Sequence, residues 1–292
     1  MVDLLADRPR DLLVAGHVNV DRFLTVRSFP AEDRTVPVLE SWAELGGTAA
    51  NLALVAAGFG VAAGIVARVG DGFPPEFLTR LVRARVDVRA VTRVRGRSTP
   101  TCYIVEDERG GQRTLIDQGA DSRTARVRIP HRVLREYSWL HLTTGDPAFQ
   151  QRLARAARSA GLRLSFDPAQ EIHYRWDPRR FRSVLSTAEV LFGNRAEVER
   201  AAVLAGGSSP DDLLRSVPLV IRTEGKRGAT AFSRTGRVHV PSSRPRRLAR
   251  LVGAGDAFRG GFYAAWFGGQ PLRECLGAGT RSAARWIERS DR

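Results

Sequence analysis

RLARLVGAGDAFRGGFYAAW, residues Arg247–Trp266, sets the small residues Gly253, Ala254 and Gly255 ahead of a carboxylate, Asp256, and a long apolar run. The first turn of a helix leaves backbone N–H groups without internal partners, and the macrodipole adds partial positive charge there. Glycines let an anion approach those N–H groups closely, so such a turn binds phosphate without side-chain charge. A carboxylate beside it can accept a hydroxyl proton while the turn stabilises a group in transfer. The plainer reading is that Asp256 caps the helix and the glycines only turn the chain. Within this window both readings stand.

Outward from it, composition narrows the field. A chain of 292 residues can bury a large core. Hydrophobic content of 43% with 26% charged residues is that of an ordinary soluble domain. No apolar run is long enough to span a bilayer. The N-terminus, MVDLLADRPRDLLVAG, carries acids early and lacks the order of a secretory signal, so a cytoplasmic location is expected. Cys102 and Cys275 are the only cysteines, which argues against a disulfide framework or a thiolate metal site. The net charge of +15 raises nucleic acid as a partner. Yet Lys226 is the sole lysine and the arginines are spread along the chain, densest at Arg244–Arg247 with Arg250. General surface charge explains this better than a binding adaptation.

In chain order, Leu12–Val20 reads as a buried first strand with Asp21 at its end. Arg22–Trp42, broken by Phe29-Pro30 and Val36-Pro37, reads as excursion strands outside the main sheet. A Gly46-Gly47 turn leads into a small-residue helix over Ala49–Ala57, and a strand over Ile65–Val69 precedes an amphipathic helix. Thr99–Val105 and Arg113–Ile116 form a hairpin around DERGGQ. Thereafter strands (Trp139–Leu142, Arg163–Phe166, Val190–Phe192, Leu219–Thr223) alternate with helices (Ala148–Ala160, Phe181–Thr187, Ala196–Leu204). An antiparallel pair, Gly228–Ser233 with Val238–Val240, and helices over Phe258–Phe267 and Thr280–Arg289 close the chain. Such alternation implies a parallel sheet covered on both faces, with sites at the strands' carboxyl ends. The polar residues there are Asp21, Thr144, Asp146, Asp167, Asn194 and Thr223.

Five motifs taken together resemble the ribokinase-like (phosphofructokinase-B type) carbohydrate kinase family, which also contains nucleoside kinases. They are the GHVNVD run ending at Asp21, the Gly46-Gly47 turn with Asn51 and Gly60, Asn194-x-x-Glu197, the loop Thr223–Ala229, and Gly253–Asp256 followed by Gly260-Gly261-Phe262. They keep the family's order over nearly the whole chain. The resemblance implies one domain over residues 1–292, an α/β/α sandwich with a mostly parallel sheet and a small β lid from segments at about 22–42 and 97–117. It implies ATP-dependent phosphorylation of a hydroxyl on a small sugar or nucleoside. Asp256 is then the base and the Gly253, Ala254 and Gly255 N–H groups the anion hole. Asn19, Asp21 and Asn51 bind acceptor hydroxyls, with Gly46 and Gly47 making room. Asn194, Thr223, Gly225 and Gly228 meet the nucleotide, and Glu197 with Asn194 acts on Mg²⁺ through waters. A homodimer through the lid is also in the family's pattern.

Departures are informative. Where the family has Asp-Thr before the GAGD turn, this chain has Arg250-Leu251. That Asp helps hold a potassium ion in many members, so no potassium site is expected, with the Arg250 guanidinium standing in for the ion. Thr48 occupies the place of the ribokinases' lysine. Thr144–Pro147 and Phe166–Glu171 are more similar to archaeal-type nucleoside or broad sugar kinases. The lost Asp-Thr pair leaves open a weakened relative that senses a sugar or nucleotide, and the charge leaves open a nucleic-acid-binding protein.

Overall fold

The first strand shows how the layers arise. Leu12, Leu13, Val14 and Ala15 are all fully buried, although side chains alternate sides along a strand, so the strand is covered on both faces. Leu12 and Val14 join one apolar cluster, Leu13 and Ala15 the other. The computed structural model describes residues 10–122, 127–248 and 251–289. The N-terminal nine residues examined for a signal, and Arg250, lie outside them.

The strands of the chain are β1 (Arg10–Ala15), β2 (Asn19–Val26), β3 (Val38–Gly46), β4 (Ala63–Asp71), β5 (Asp87–Ser98), β6 (Thr101–Asp107) and β7 (Gln112–Asp117). They continue as β8 (Tyr137–Leu142), β9 (Arg163–Phe166), β10 (Val190–Asn194), β11 (Leu219–Thr223), β12 (Ala229–Ser233) and β13 (Gly236–Val240). The helices are α1 (Thr48–Gly58), α2 (Pro75–Arg83), α3 (His131–Leu134), α4 (Pro147–Ser159) and α5 (Pro178–Leu185). They continue as α6 (Arg195–Ala205), α7 (Pro210–Leu213), α8 (Ala254–Phe267) and α9 (Leu272–Ile287).

Nine strands form the main sheet in the order β13-β12-β11-β10-β9-β8-β1-β4-β5, parallel from β11 to β5, with β12 and β13 antiparallel at one edge. Helices α1, α2, α8 and α9 bury their apolar residues on one face and α4, α5 and α6 on the other. This is the expected three-layer sandwich. A separate four-stranded sheet, β3-β2-β6-β7, is joined by the parallel pair β2–β6. Strand order reverses at β1 and β8: the chain runs out through β4 and β5, then returns to the other side of β1. The carboxyl ends at such a switch point are where open α/β sheets bind ligands.

Several boundaries differ from expectation. The run Leu12–Val20 is two strands: β1 stops at Ala15, and Asn19 already belongs to the small sheet. Gly16 stands at the break, where a Cβ would collide with Thr143. Strand β5 is absent from the sequence reading because DVRAVTRVRGRS interleaves one aspartate and four arginines with its apolar residues, as suits a sheet edge with one solvated face. Helix α8 begins at Ala254, inside the supposed turn, and α9 begins at Leu272 rather than Thr280. Gly260 and Gly261 sit within α8 at a cost of about 1 kcal/mol each relative to alanine. A Cβ on Gly260 would lie 2.6 Å from Val55 on α1, and one on Gly261 would lie 2.5 Å from Ser282 on α9. The two glycines thus bring α8 close to both neighbours.

Candidate functional site

Close packing of α8 on α1 sets the central contact. Asp256 lies in the first turn of α8, but neither it nor any other side chain caps the helix; Gly253, at φ 83°, is the N-cap residue. The helix-cap reading of Asp256 is therefore not realised. Its Oδ2 instead accepts a 3.2 Å hydrogen bond from Asn51 Nδ2 on α1. The turn rests on α9: a Cβ on Gly253 would lie 2.8 Å from the Trp286 ring, and Trp286 Nε1 donates to the Val252 carbonyl at 2.7 Å. Burial pushes the Asp256 carboxyl up to about 7, Arg259 and Asn51 oppose the rise, and the charges of Asp167 and Asp21 add to it.

A cavity of about 280 Å³ opens at this point. Ten of the residues singled out from sequence line it: Asn19, Asp21, Gly47, Asn51, Asn194, Glu197, Thr223, Gly253, Gly255 and Asp256. Gly46, Ala254, Gly225 and Gly228 are not in its wall. Gly46 lies behind Asp21, where a Cβ would collide with the buried carboxylate. Gly228, at φ 100°, crosses the Val240 carbonyl so closely that no side chain fits. Gly225, at φ 57°, opens a short turn over residues 225–227.

Topology sorts the wall into two sides. Asn194 and Thr223 end β10 and β11, whereas Asn19 and Asp21 lie on β2, reached from the end of β1; β8 and β9 run between. On the β10 side, Asn194 caps α6 by accepting from Glu197 N at 3.0 Å, and Glu197 Oε2 accepts from Asn194 N at 2.6 Å. Glu197 is buried, so it is no ordinary surface residue of a helix. On the β2 side, Asn19 Oδ1 is a buried acceptor with no partner among the described residues. Such an atom is costly unless a ligand or water satisfies it.

Sequence reasoning missed several wall residues. Arg259, one helical turn beyond Asp256, is buried and ion-paired with Asp167 at the end of β9. Burial raises the Asp167 carboxyl to about 6, with Arg259 opposing. Cys102 sits beside Asp21 across β2 and β6, and burial with that neighbouring charge pushes its thiol up to about 12, so it stays neutral. Beneath the β2 side, His17 Nε2 lies 3.2 Å from Asp121, whose other oxygen pairs with Arg68. Glu171 accepts from Arg175 and Gln118 at 3.0 Å and from Gly145 N at 2.5 Å. Thr48 Oγ1 lies 2.7 Å from Thr144 Oγ1. Some of these carried advance signals: Asp167 and Thr144 by their place at strand ends, Thr48 by standing where ribokinases carry a lysine, and Glu171 within Phe166–Glu171. Asp146, also marked at a strand end, instead caps α4 by accepting from Ala148 N.

The pfkB family carbohydrate kinase model matches residues 9–291. The chain belongs to the pfkB family of carbohydrate kinases. Like that family it is a phosphotransferase with an alcohol group as acceptor, a kinase of the sugar and nucleoside type that uses ATP. It is 33% identical to an ATP-dependent ribose-1-phosphate kinase of Halopiger xanaduensis, over 87% of this chain and 84% of that one. It is 30% identical to a nucleoside kinase of Methanothermobacter thermautotrophicus, over 91% and 85%. Its fold superposes on the crystal structure of the Methanocaldococcus jannaschii nucleoside kinase, an archaeal member of the ribokinase family. That match has a TM-score of 0.89 at 25% identity and covers 97% and 93% of the two chains. Among the described residues no helix is long and apolar enough to cross a membrane.

Proposed function

We propose that this kinase phosphorylates the primary hydroxyl of a ribose-bearing small molecule, a nucleoside or a C1-substituted ribose, with Asp256 as base. The carrying observation is the Asn51–Asp256 hydrogen bond inside a cleft that has the acceptor-type residues Asn19 and Asp21 on one side and Asn194 and Thr223 on the other. Nucleoside and ribose-1-phosphate kinases among the relatives share a ribose as acceptor, which supports this class. Asp21, buried at 3% exposure, would take charge-assisted bonds from neighbouring hydroxyls, and Asn19 Oδ1 would gain the partner it lacks. ATP would extend past Asn194 and Thr223 over the open Gly225–Gly228 loop.

In the reaction the acceptor oxygen bonds the γ-phosphorus as the bond to the β,γ-bridging oxygen breaks, that electron pair leaving on ADP. The hydroxyl proton passes to Asp256. Asn51 fixes the carboxylate's orientation, and a pKa near 7 suits a base working at neutral pH. The N–H groups of Gly253 and Gly255 would face the charge carried by the moving phosphoryl group, a contribution worth about 2.7–4 kcal/mol per donor in comparable sites. The Ala254 N–H, expected to join them, instead donates to the Leu251 carbonyl at 3.2 Å.

The donors near the phosphate side are oxygens, which fits Mg²⁺. Asn194 Oδ1 and Glu197 Oε2 are already engaged in their reciprocal cap, so these residues would hold the ion through waters. Among the described residues no cluster of three or more His, Cys, Asp or Glu stands ready to bind a metal. When bound, the ion neutralises phosphate charge. No potassium requirement is proposed; exchanging potassium for sodium should leave turnover within twofold, and a severalfold rise with potassium would contradict this.

The small sheet is proposed to act as a lid, since Asp21 and Cys102 on it line the cleft. Its exposed Val38, Leu39, Tyr103 and Leu115 support pairing with a second copy, which sedimentation would reveal as a dimer. The central test is ADP release from ATP and magnesium with ribose, ribose 1-phosphate, inosine, cytidine and adenosine. At least one should turn over, and Asp256→Asn should lower its kcat by a hundredfold or more. Absence of any turnover refutes the reading.

A further inference from the structure

Arg259 is the only arginine or lysine in the cleft wall among the described residues, and it stands among three wall carboxylates, Asp21, Glu197 and Asp256. We propose that Arg259 is a catalytic residue: held by Asp167 and lodged against the Gly253–Gly255 turn, its guanidinium contacts the transferring phosphoryl group and supplies the fixed positive charge of the anion hole. The proposal rests on the reading of Asp256 and its turn as the site of transfer.

Three observations carry it. First, position: Arg259 lies three residues after Asp256 on α8, so both project from one face of the helix. A Cβ on Gly255 would lie 2.7 Å from Arg259 Nη1, so the guanidinium occupies the space beside the turn that glycine leaves open. Second, fixation: Asp167 pairs with the guanidinium, whose carbon lies 6.0 Å from the centre of the Phe192 ring. The side chain is only 8% exposed, so little conformational freedom remains to be lost when phosphate arrives. Third, charge: burial opposes ionisation of Arg259, but Asp167, Asp256 and Glu197 more than compensate, keeping it cationic.

A counter-ion for Asp167 alone would need neither a place in the cleft wall nor a glycine beside its outer nitrogen. A triphosphate entering among carboxylates does need a cation aimed at the group that moves. Arginine suits this role because its charge is permanent and its donors form a planar fork that matches phosphate oxygens. As the γ-phosphorus passes from the bridging oxygen of ATP to the acceptor oxygen, its three equatorial oxygens carry the charge that the fork faces. The sequence pointed to Arg250 as a stand-in for a monovalent ion; the described cleft offers Arg259.

The test compares Arg259→Met/Asp167→Asn with Asp167→Asn, so that neither protein carries a buried carboxylate stripped of its partner. The double variant is expected to lose at least a hundredfold in kcat relative to Asp167→Asn, with the KM for ATP within threefold. Millimolar guanidinium should restore at least fivefold. Affinity for ADP with magnesium and aluminium fluoride should fall at least thirtyfold, while affinity for ADP with magnesium alone stays within threefold. A merely structural Arg259 would give a kcat within threefold of Asp167→Asn and no difference between the two ADP complexes, and either result overturns the proposal. Should the double variant fail to fold, Arg259→Lys keeps the charge without the fork and should lose at least tenfold in kcat; an unchanged kcat overturns the proposal. If Asp256→Asn keeps more than a tenth of wild-type turnover, the underlying reading of the turn fails instead.

Discussion

Asp256 costs the folded protein stability, and Asp256→Asn should return it in a pH-dependent way. Burial raises this carboxyl from 3.8 to about 7. A group whose folded pKa is raised favours the folded state below its unfolded pKa, and that advantage is lost as pH rises through the folded value. Between about pH 4 and pH 7 the folded chain holds a proton that the unfolded chain has released, so stability falls by about 1.4 kcal/mol per pH unit. Over three units the loss approaches about 4 kcal/mol, reduced to about 2–4 kcal/mol because part of Asp256 reaches the cleft. Asparagine does not titrate, so the melting temperature of Asp256→Asn should pull ahead of wild type steadily from pH 4 to pH 7 and then stay level. At about 2 °C per kcal/mol for a chain of this size, the gap should reach roughly 4–8 °C by pH 8. Calorimetric scans of both proteins at unit pH steps, paired with kcat at pH 8, make the measurement. A gap that does not change with pH would refute the assignment of a raised pKa to Asp256. A gap that grows while activity survives would refute its role as base.

Other consequences follow from the same cleft. The rate at low acceptor concentration should climb as pH rises through about 7 and level off above it, because the base works deprotonated; a flat profile from pH 5 to pH 8 would contradict this. Asp21→Ala removes charge-assisted acceptors worth about 1.5–3 kcal/mol each, so the acceptor KM should rise at least tenfold with the ATP KM little changed. Gly260→Val would press on Val55 and the Ala56 backbone, forcing α8 off α1. It should cost about 1–3 kcal/mol in denaturant unfolding and lower kcat by loosening the Asn51–Asp256 bond, whereas unaltered kinetics would show that the helix contact does not set the base.

Much of this site was legible because the chemistry proposed for it uses the backbone. Turns that bring N–H groups to a ligand need glycine, and glycine pairs at Gly46-Gly47 and around Gly253–Gly255 stand out in any apolar context. Alternating strands and helices likewise announced the sheet whose carboxyl ends hold Asn194, Thr223 and Asp167. What stayed hidden depended on partners distant in the chain. Arg259, one cation in an apolar helix, acquires meaning only when β9 brings Asp167 to it. His17 and Asp121 are 104 positions apart and meet only through the fold. The last helix was placed too late, from Thr280, whereas Gly277 and Gly279 lie inside α9, where Gly279 admits the Phe258 ring. The split of Leu12–Val20 was invisible because both β1 and the start of β2 are buried, so hydropathy carries no mark of the change of sheet.

The Asn51–Asp256 bond joins residues 205 positions apart, on helices that flank opposite ends of the chain. Contacts of such separation demand closure of a very long loop and are slow to form. A ribosome-bound chain synthesised only as far as Val252 would carry Asn51, Asn194 and Thr223 without Asp256. With Asp256 as the proposed base, the return of turnover during refolding becomes a clock for the docking of α8 onto α1.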